Sequence, residues 1–160
     1  MYKVLFVCSG ATCRSPMASS LFNHKIKNAN ISGATSHFCG MFVEYGSSIK
    51  QESKHALKDY GVSRVCGTPT QITGKHLAEH NLIVCLTEDH KQALINMVAE
   101  KFVSKIVCFK DFCGIDIADP YGGDIGVYRK TLMQINNGLN ELINSLLHSE
   151  IIKYKRSKNV

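Results

Sequence analysis

The sequence predicts a single three-layer α/β/α domain built on a central parallel sheet of about four strands. Two short apolar runs, Val4-Leu5-Phe6-Val7-Cys8 and Leu82-Ile83-Val84-Cys85-Leu86, read as strands buried on both faces. Each is followed by a helix-start signal and a stretch of helical period. Strands alternate with helices along the chain, and parallel strands need crossover helices that cover the sheet on both sides. A chain of 160 residues, 44% apolar and 20% charged, suits one globular core that buries about 70% of its unfolded surface.

Tyr2 to Cys8 is the first strand, and the loop Ser9 to Arg14 leads to Ser15-Pro16. Ser15 is placed to cap a helix, and Pro16 lacks an N–H that the first turn does not need. Ala18, Leu21, Phe22, Lys25 and Ile26 then recur at helical spacing to about Asn28. A weaker strand spans Ile31 to Cys39, and a helix from about Ser48 to Tyr60 is closed by Gly61. After the strand at Leu82 to Leu86, Thr87-Glu88-Asp89 opens a helix through Lys101, and Lys105 to Phe109 is a further strand. Tyr128, Leu132, Ile135, Leu139, Leu142, Leu146 and Leu147 hold the helical period to about Ser149. These elements form one domain over 1–149, followed by a basic tail over 150–160.

The net charge is +6, and Lys153, Lys155, Arg156 and Lys158 against Glu150 supply half of it. That tail is expected to be a solvated terminus, and the mildly cationic body suits anionic substrates. Aromatic residues are not interleaved with basic ones, so no nucleic-acid partner is expected. No apolar run approaches the ~18 residues of a membrane span, and no signal-peptide pattern opens the chain. Seven irregularly spaced cysteines read as reduced thiols, which places the protein in the cytoplasm. The cysteines lack metal-ligand spacing, and His76/His80 has the i, i+4 spacing without a carboxylate motif, so no metal or other cofactor is expected. His76/His80 reads as an exposed helix face.

Ligands of open α/β sheets bind beyond the carboxyl ends of strands. There Cys8 stands at a strand end, and Ser9, Gly10, Ala11, Thr12 and Cys13 form a loop that reaches Arg14 and Ser15. Loop amides and a helix N-terminus can converge on a tetrahedral oxyanion, and Arg14 adds a planar fork matched to two phosphoryl oxygens. The same positive surroundings favour the thiolate of Cys8, the form that attacks phosphorus. By itself a cysteine at a strand end is usually a packed residue; the joint pattern Cys8-x5-Arg14-Ser15 is what points to a catalytic phosphate loop.

The segment from Val4 to Ala18, Val-Leu-Phe-Val-Cys-Ser-Gly-Ala-Thr-Cys-Arg-Ser-Pro-Met-Ala, resembles the signature of low-molecular-weight protein tyrosine phosphatases. Asp119-Pro120-Tyr121-Gly122-Gly123 resembles their general-acid loop, and the likeness in order and length extends to about Leu147. The residues alone do not choose Asp119 over Asp111, Asp116 or Asp124; the resemblance does. It implies attack by Cys8, oxyanion binding by Arg14 and the loop amides, leaving-group protonation by Asp119, and a Ser15 hydroxyl bonded to the departing thiolate. A cysteinyl-phosphate then forms and is hydrolysed. The resemblance also implies a protective disulfide between Cys13 and Cys8. A monomer is expected, with inorganic phosphate or sulfate as simple ligands of the site.

Two positions depart from the tyrosine-directed pattern. Ala11 replaces an Asn that supports a left-handed loop conformation through a Ser and a His; Phe38 and roughly Gly67 stand at those two positions. Ala11 should therefore destabilise the loop or be braced differently. Thr12 replaces an apolar residue and is similar to the bacterial arginine phosphatases of the family, with Phe42 as an aromatic wall and Tyr121 as another. The expected substrates are phosphorylated proteins or peptides, with phosphotyrosine and phosphoarginine both open. The alternatives are a non-catalytic phosphate-binding module and a thiol-relay arsenate reductase, for which Cys66 and Cys85 have the wrong spacing.

Overall fold

β1 (Tyr2–Cys8) lies inside the main sheet because every residue from Val4 onward is buried on one face or the other. The computed structural model describes residues 1–156. β1 is followed by α1 (Arg14–Asn28), β2 (Ile31–Ser32), β3 (Ala34–Gly40), α2 (Gln51–Lys58), α3 (Gly74–Glu79) and β4 (Leu82–Cys85). Then come α4 (Glu88–Met97), a 3-10 segment (Glu100–Lys105), β5 (Ile106–Cys108), α5 (Lys110–Cys113), α6 (Ile125–His148) and β6 (Lys153–Tyr154). The main sheet has the order β3-β1-β4-β5, and every pairing in it is parallel.

Side chains alternate across a strand, so β1 feeds two cores. Val4, Phe6 and Cys8 point with Val84 toward α1 and α6, where Met17, Leu21, Phe22, Leu132, Ile135 and Leu139 complete the larger core. Leu5 and Val7 point the other way, with Cys39, Ile83 and Ile106, against Leu77 of α3 and Leu94 of α4. The parallel arrangement brings the carboxyl ends of β1, β3, β4 and β5 to one edge. Cys8 ends β1 on that edge and on the α1 side.

Several elements differ from expectation for local reasons. α1 starts at Arg14 with Cys13 at its cap, so Ser15 lies inside the first turn and does not cap it. The strand expected over Ile31 to Cys39 is broken at Gly33, which has φ +107 and whose added Cβ would stand 3.0 Å from the Ile151 carbonyl. β2 on the near side pairs antiparallel with β6. That pairing docks the start of the basic tail: Ile152 is 1% exposed, and Lys155 N–H donates to the Asn30 carbonyl at 2.8 Å. The side chains of Lys153, Lys155 and Arg156 remain exposed, so this stretch is solvated on one side only; residues 157–160 lie outside the described residues.

α2 begins at Gln51, because Lys50 is extended. α4 ends at Met97, where Val98 is extended, and the chain resumes as the 3-10 segment. His76 and His80 do not form an exposed face. His80 is 5% exposed, with Nδ1 2.7 Å from the His76 carbonyl and Nε2 2.9 Å from His37 Nδ1. Among the described residues no helix is long and apolar enough to cross a membrane.

Candidate active site

The loop 9–13 between β1 and α1 forms the floor of a cleft of about 420 Å3, with Cys8, Ser9, Gly10, Thr12, Cys13 and Arg14 all lining it. Cys8 is 2% exposed as a residue, yet its thiol faces this cleft. Ser15 N–H lies 3.4 Å from Cys8 Sγ and Ser15 Oγ lies 3.1 Å from it. The Ser15 hydroxyl donates to the Cys39 carbonyl at 3.2 Å, so it is spent on the sulfur and on β3 rather than on capping the helix.

Arg14 is buried but not buried bare. Its Nη1 donates to the Ile117 carbonyl at 2.9 Å, and Nη2 stands 3.5 Å from Ser9 Oγ and 3.7 Å from Asp119 Oδ2. Asp119 Oδ1 accepts from the Tyr121 N–H at 3.1 Å. One carboxylate oxygen is thus held by the local turn while the other faces the guanidinium. Phe42 and Tyr121 stand 69% and 64% exposed as two aromatic walls, and Lys50 Nζ sits 4.7 Å from the centre of the Tyr121 ring. Glu44 and Lys50 complete the rim.

The loop is held from below. Met41 N–H donates to the Cys8 carbonyl and Phe42 N–H to the Ser9 carbonyl, each at 2.9 Å, while Lys50 N–H donates to the Thr12 carbonyl at 3.0 Å. Gly40 permits this approach: a Cβ there would lie 2.7 Å from the Ser9 carbonyl oxygen and 3.0 Å from Ala11 N. Ala11 does adopt the left-handed conformation, at φ +57. Its support is apolar. The methyl is buried in a cluster with Phe38 and Ile49, bordered by Val43 and Val65. Gly67 lies on the same ring, since a Cβ there would be 3.1 Å from Phe38. The two positions matched to the polar supports of the tyrosine-directed pattern therefore do meet, as an aromatic ring and a glycine.

The remaining thiols have other surroundings. Cys13 is free, with Sγ 3.3 Å from Tyr128 Oη and 3.5 Å from Thr12 Oγ1. Burial pushes the Tyr128 hydroxyl up, and the contact with Cys13 adds to it. Burial pushes the Cys39 thiol up to about 12, with the nearby Cys8 adding to the effect, and Cys85 up to about 12. A thiol in that range stays protonated at neutral pH and is a poor relay nucleophile.

Sequence reasoning missed four residues that act here from other elements: Gly40, Lys50, Ile117 and His90. His90 is buried in the first turn of α4, with Nε2 2.8 Å from Ser9 Oγ. Burial, reinforced by the Arg14 guanidinium, lowers its pKa to about 4. Its position just past a strand end was the available signal, but a single His with no paired ligand carried no motif.

The model of the family described as low molecular weight phosphotyrosine protein phosphatase matches residues 3–153. A protein-arginine-phosphatase of Geobacillus stearothermophilus is 32% identical over 151 residues, covering 91% of this chain and 96% of its own. A low molecular weight protein-tyrosine-phosphatase of Staphylococcus haemolyticus is 30% identical over 139 residues, covering 83% and 91%. Among solved structures, a low molecular weight protein tyrosine phosphatase from T. tengcongensis superposes with a TM-score of 0.85 at 32% identity, over 91% of this chain and all of the other.

Proposed function

The chain belongs to the low molecular weight phosphotyrosine protein phosphatase family, and from that premise we propose that its cleft hydrolyses phosphorylated proteins or peptides through a cysteinyl-phosphate on Cys8. The observation that carries this reading is the convergence of Cys8, Arg14 and Asp119 on one cleft.

The Cys8 thiolate attacks phosphorus in line with the leaving atom. Arg14 and the amides of the loop take the equatorial oxygens, where negative charge is densest in the transition state. The phosphorus–oxygen or phosphorus–nitrogen bond breaks as Asp119 delivers its proton to the leaving atom. Asp119, now ionised, removes a proton from water as that water attacks the cysteinyl-phosphate. Phosphate leaves, and the sulfur again accepts from the Ser15 N–H. Every group required comes from one chain, so the proposal is for a monomer, and the seven free thiols support a cytoplasmic setting.

Two leaving groups fit. The aromatic walls Phe42 and Tyr121 suit a phenyl ring. Thr12 on the floor, with Glu44 and Asp119 on the rim, suits the polar and cationic phosphoarginine, and this favours phosphoarginine as a second reading. The test is a comparison of rates on phosphotyrosine and phosphoarginine peptides for the wild type and Thr12→Ile. The expected result is a shift toward tyrosine in the variant; an unchanged ratio removes Thr12 as the determinant.

A further inference from the structure

His90 is nine-tenths buried, and its two ring nitrogens are treated unequally. Nε2 lies 2.8 Å from Ser9 Oγ, whereas Nδ1 is buried with no hydrogen-bond partner among the described residues. Burial and the nearby Arg14 guanidinium keep the ring neutral at physiological pH, so it carries a single N–H. A buried N–H without an acceptor is rarer and costlier than an idle lone pair. The proton therefore belongs on Nε2, donated to Ser9 Oγ.

The same oxygen faces Arg14 Nη2 at 3.5 Å, and a guanidinium can only donate. With donors directed at it from His90 and Arg14, the Ser9 hydroxyl turns its own proton elsewhere. Ser9 lines the cleft beside Cys8, and the Nη2 it meets is the nitrogen that faces Asp119. The open direction is the space that the phosphoryl group would fill.

We propose that the Ser9 hydroxyl donates to a phosphoryl oxygen and that His90 is the positioning residue that turns it into the cleft. This rests on the reading of the cleft as a phosphoryl-transfer site. It adds a side-chain donor to the loop amides and Arg14, on charge that grows in the transition state.

The test is a double-mutant cycle read by para-nitrophenyl phosphate kinetics and by inhibition with orthovanadate, using Ser9→Ala, His90→Ala, His90→Gln and the Ser9→Ala/His90→Ala and Ser9→Ala/His90→Gln pairs. Each alanine variant is expected to lose about tenfold in kcat/KM and in orthovanadate affinity, the scale of one hydrogen bond to a charged oxygen. The double variant should be no worse than either single one, because His90 acts only through Ser9. His90→Gln, which keeps an N–H, should recover part of the loss, and should recover nothing when Ser9 is Ala. Wild-type kinetics and orthovanadate affinity in Ser9→Ala overturn the proposal, as does a double loss equal to the product of the single ones. Should His90→Ala fail to fold, Ser9→Ala and His90→Gln decide by the same criteria. Retained turnover in Cys8→Ser is a separate result, and it removes the phosphatase mechanism itself.

Discussion

Asp119 Oδ2 stands 3.7 Å from Arg14 Nη2 at the mouth of the cleft, with the carboxylate side chain 53% exposed and the guanidinium side chain 6% exposed. The gap is too long for a hydrogen bond, so the carboxylate is near the anion site without being committed to it. Asp119→Asn keeps the shape and removes the transferable proton. We predict a fall in kcat of about 100-fold to 10,000-fold on phenyl phosphate, and a smaller fall on para-nitrophenyl phosphate, whose leaving group needs less protonation. Steady-state rates on the two esters check this, and equal losses on both contradict proton donation by Asp119.

The left-handed backbone of Ala11 costs roughly 1–2 kcal/mol that glycine would not incur. The Phe38 and Ile49 side chains pressed on its methyl hold it there. Phe38→Ala should lose about 3–5 kcal/mol of stability, and Ile49→Val about 0.5–1.5 kcal/mol, with kcat/KM falling alongside. Urea unfolding and para-nitrophenyl phosphate kinetics read both. Lost stability with unchanged kinetics would show that the cluster supports the core but not the loop.

Gly138 sits in the middle of α6, where Ala usually stabilises a helix by about 1 kcal/mol. Here an added Cβ would overlap the Phe109 ring and lie 3.1 Å from Cys113 Cβ. Gly138→Ala is therefore predicted to destabilise by about 1–3 kcal/mol, the cost of overpacking. A thermal melt decides the sign: a raised midpoint means that the ring gives way freely.

Three histidines have lowered pKa values in the folded chain. Burial is the largest cause for each. For His37 the charges of Lys3 and His76 add to it, for His80 those of His37, His76 and Lys3, and for His90 that of Arg14. The unfolded chain therefore binds more protons than the folded one once pH falls below the ordinary histidine value of about 6.5. Stability is full above that pH and declines below it, at up to about 1.4 kcal/mol per pH unit for the buried His90 and less for His37, which water screens. For His90 the decline runs from there to about 4. Urea midpoints at steps from pH 7 to pH 4.5 should fall, and His90→Gln should fall less steeply; parallel curves contradict the assignment.

The first strand and its loop were legible because the information is local. Buried β1 alternates between two cores, and seven consecutive residues, Cys8 to Arg14, hold the floor of the cleft. Asp119 needed the family likeness, since four nearby aspartates are equivalent until the chain folds. Gly40, Ile117 and His90 were not legible, because each meets the loop through a contact between segments far apart in sequence. Ser15 illustrates competition: it carries a helix-cap signal, but the sulfur of Cys8 and the carbonyl of Cys39 claim its side chain. β2, β6 and α3 are too short to show a hydrophobic period, so the docking of Ile152 and the burial of His80 appear only in three dimensions.

In the proposed mechanism sulfur, and no other atom of the chain, receives the phosphoryl group. Rapid quenching during turnover of a phosphopeptide, followed by peptide mass spectrometry, reads this directly. The expected result is a phosphoryl adduct on the peptide that carries Cys8 in the wild type, and none in Cys8→Ser. An adduct at a different residue, or turnover in the wild type with none formed, contradicts it.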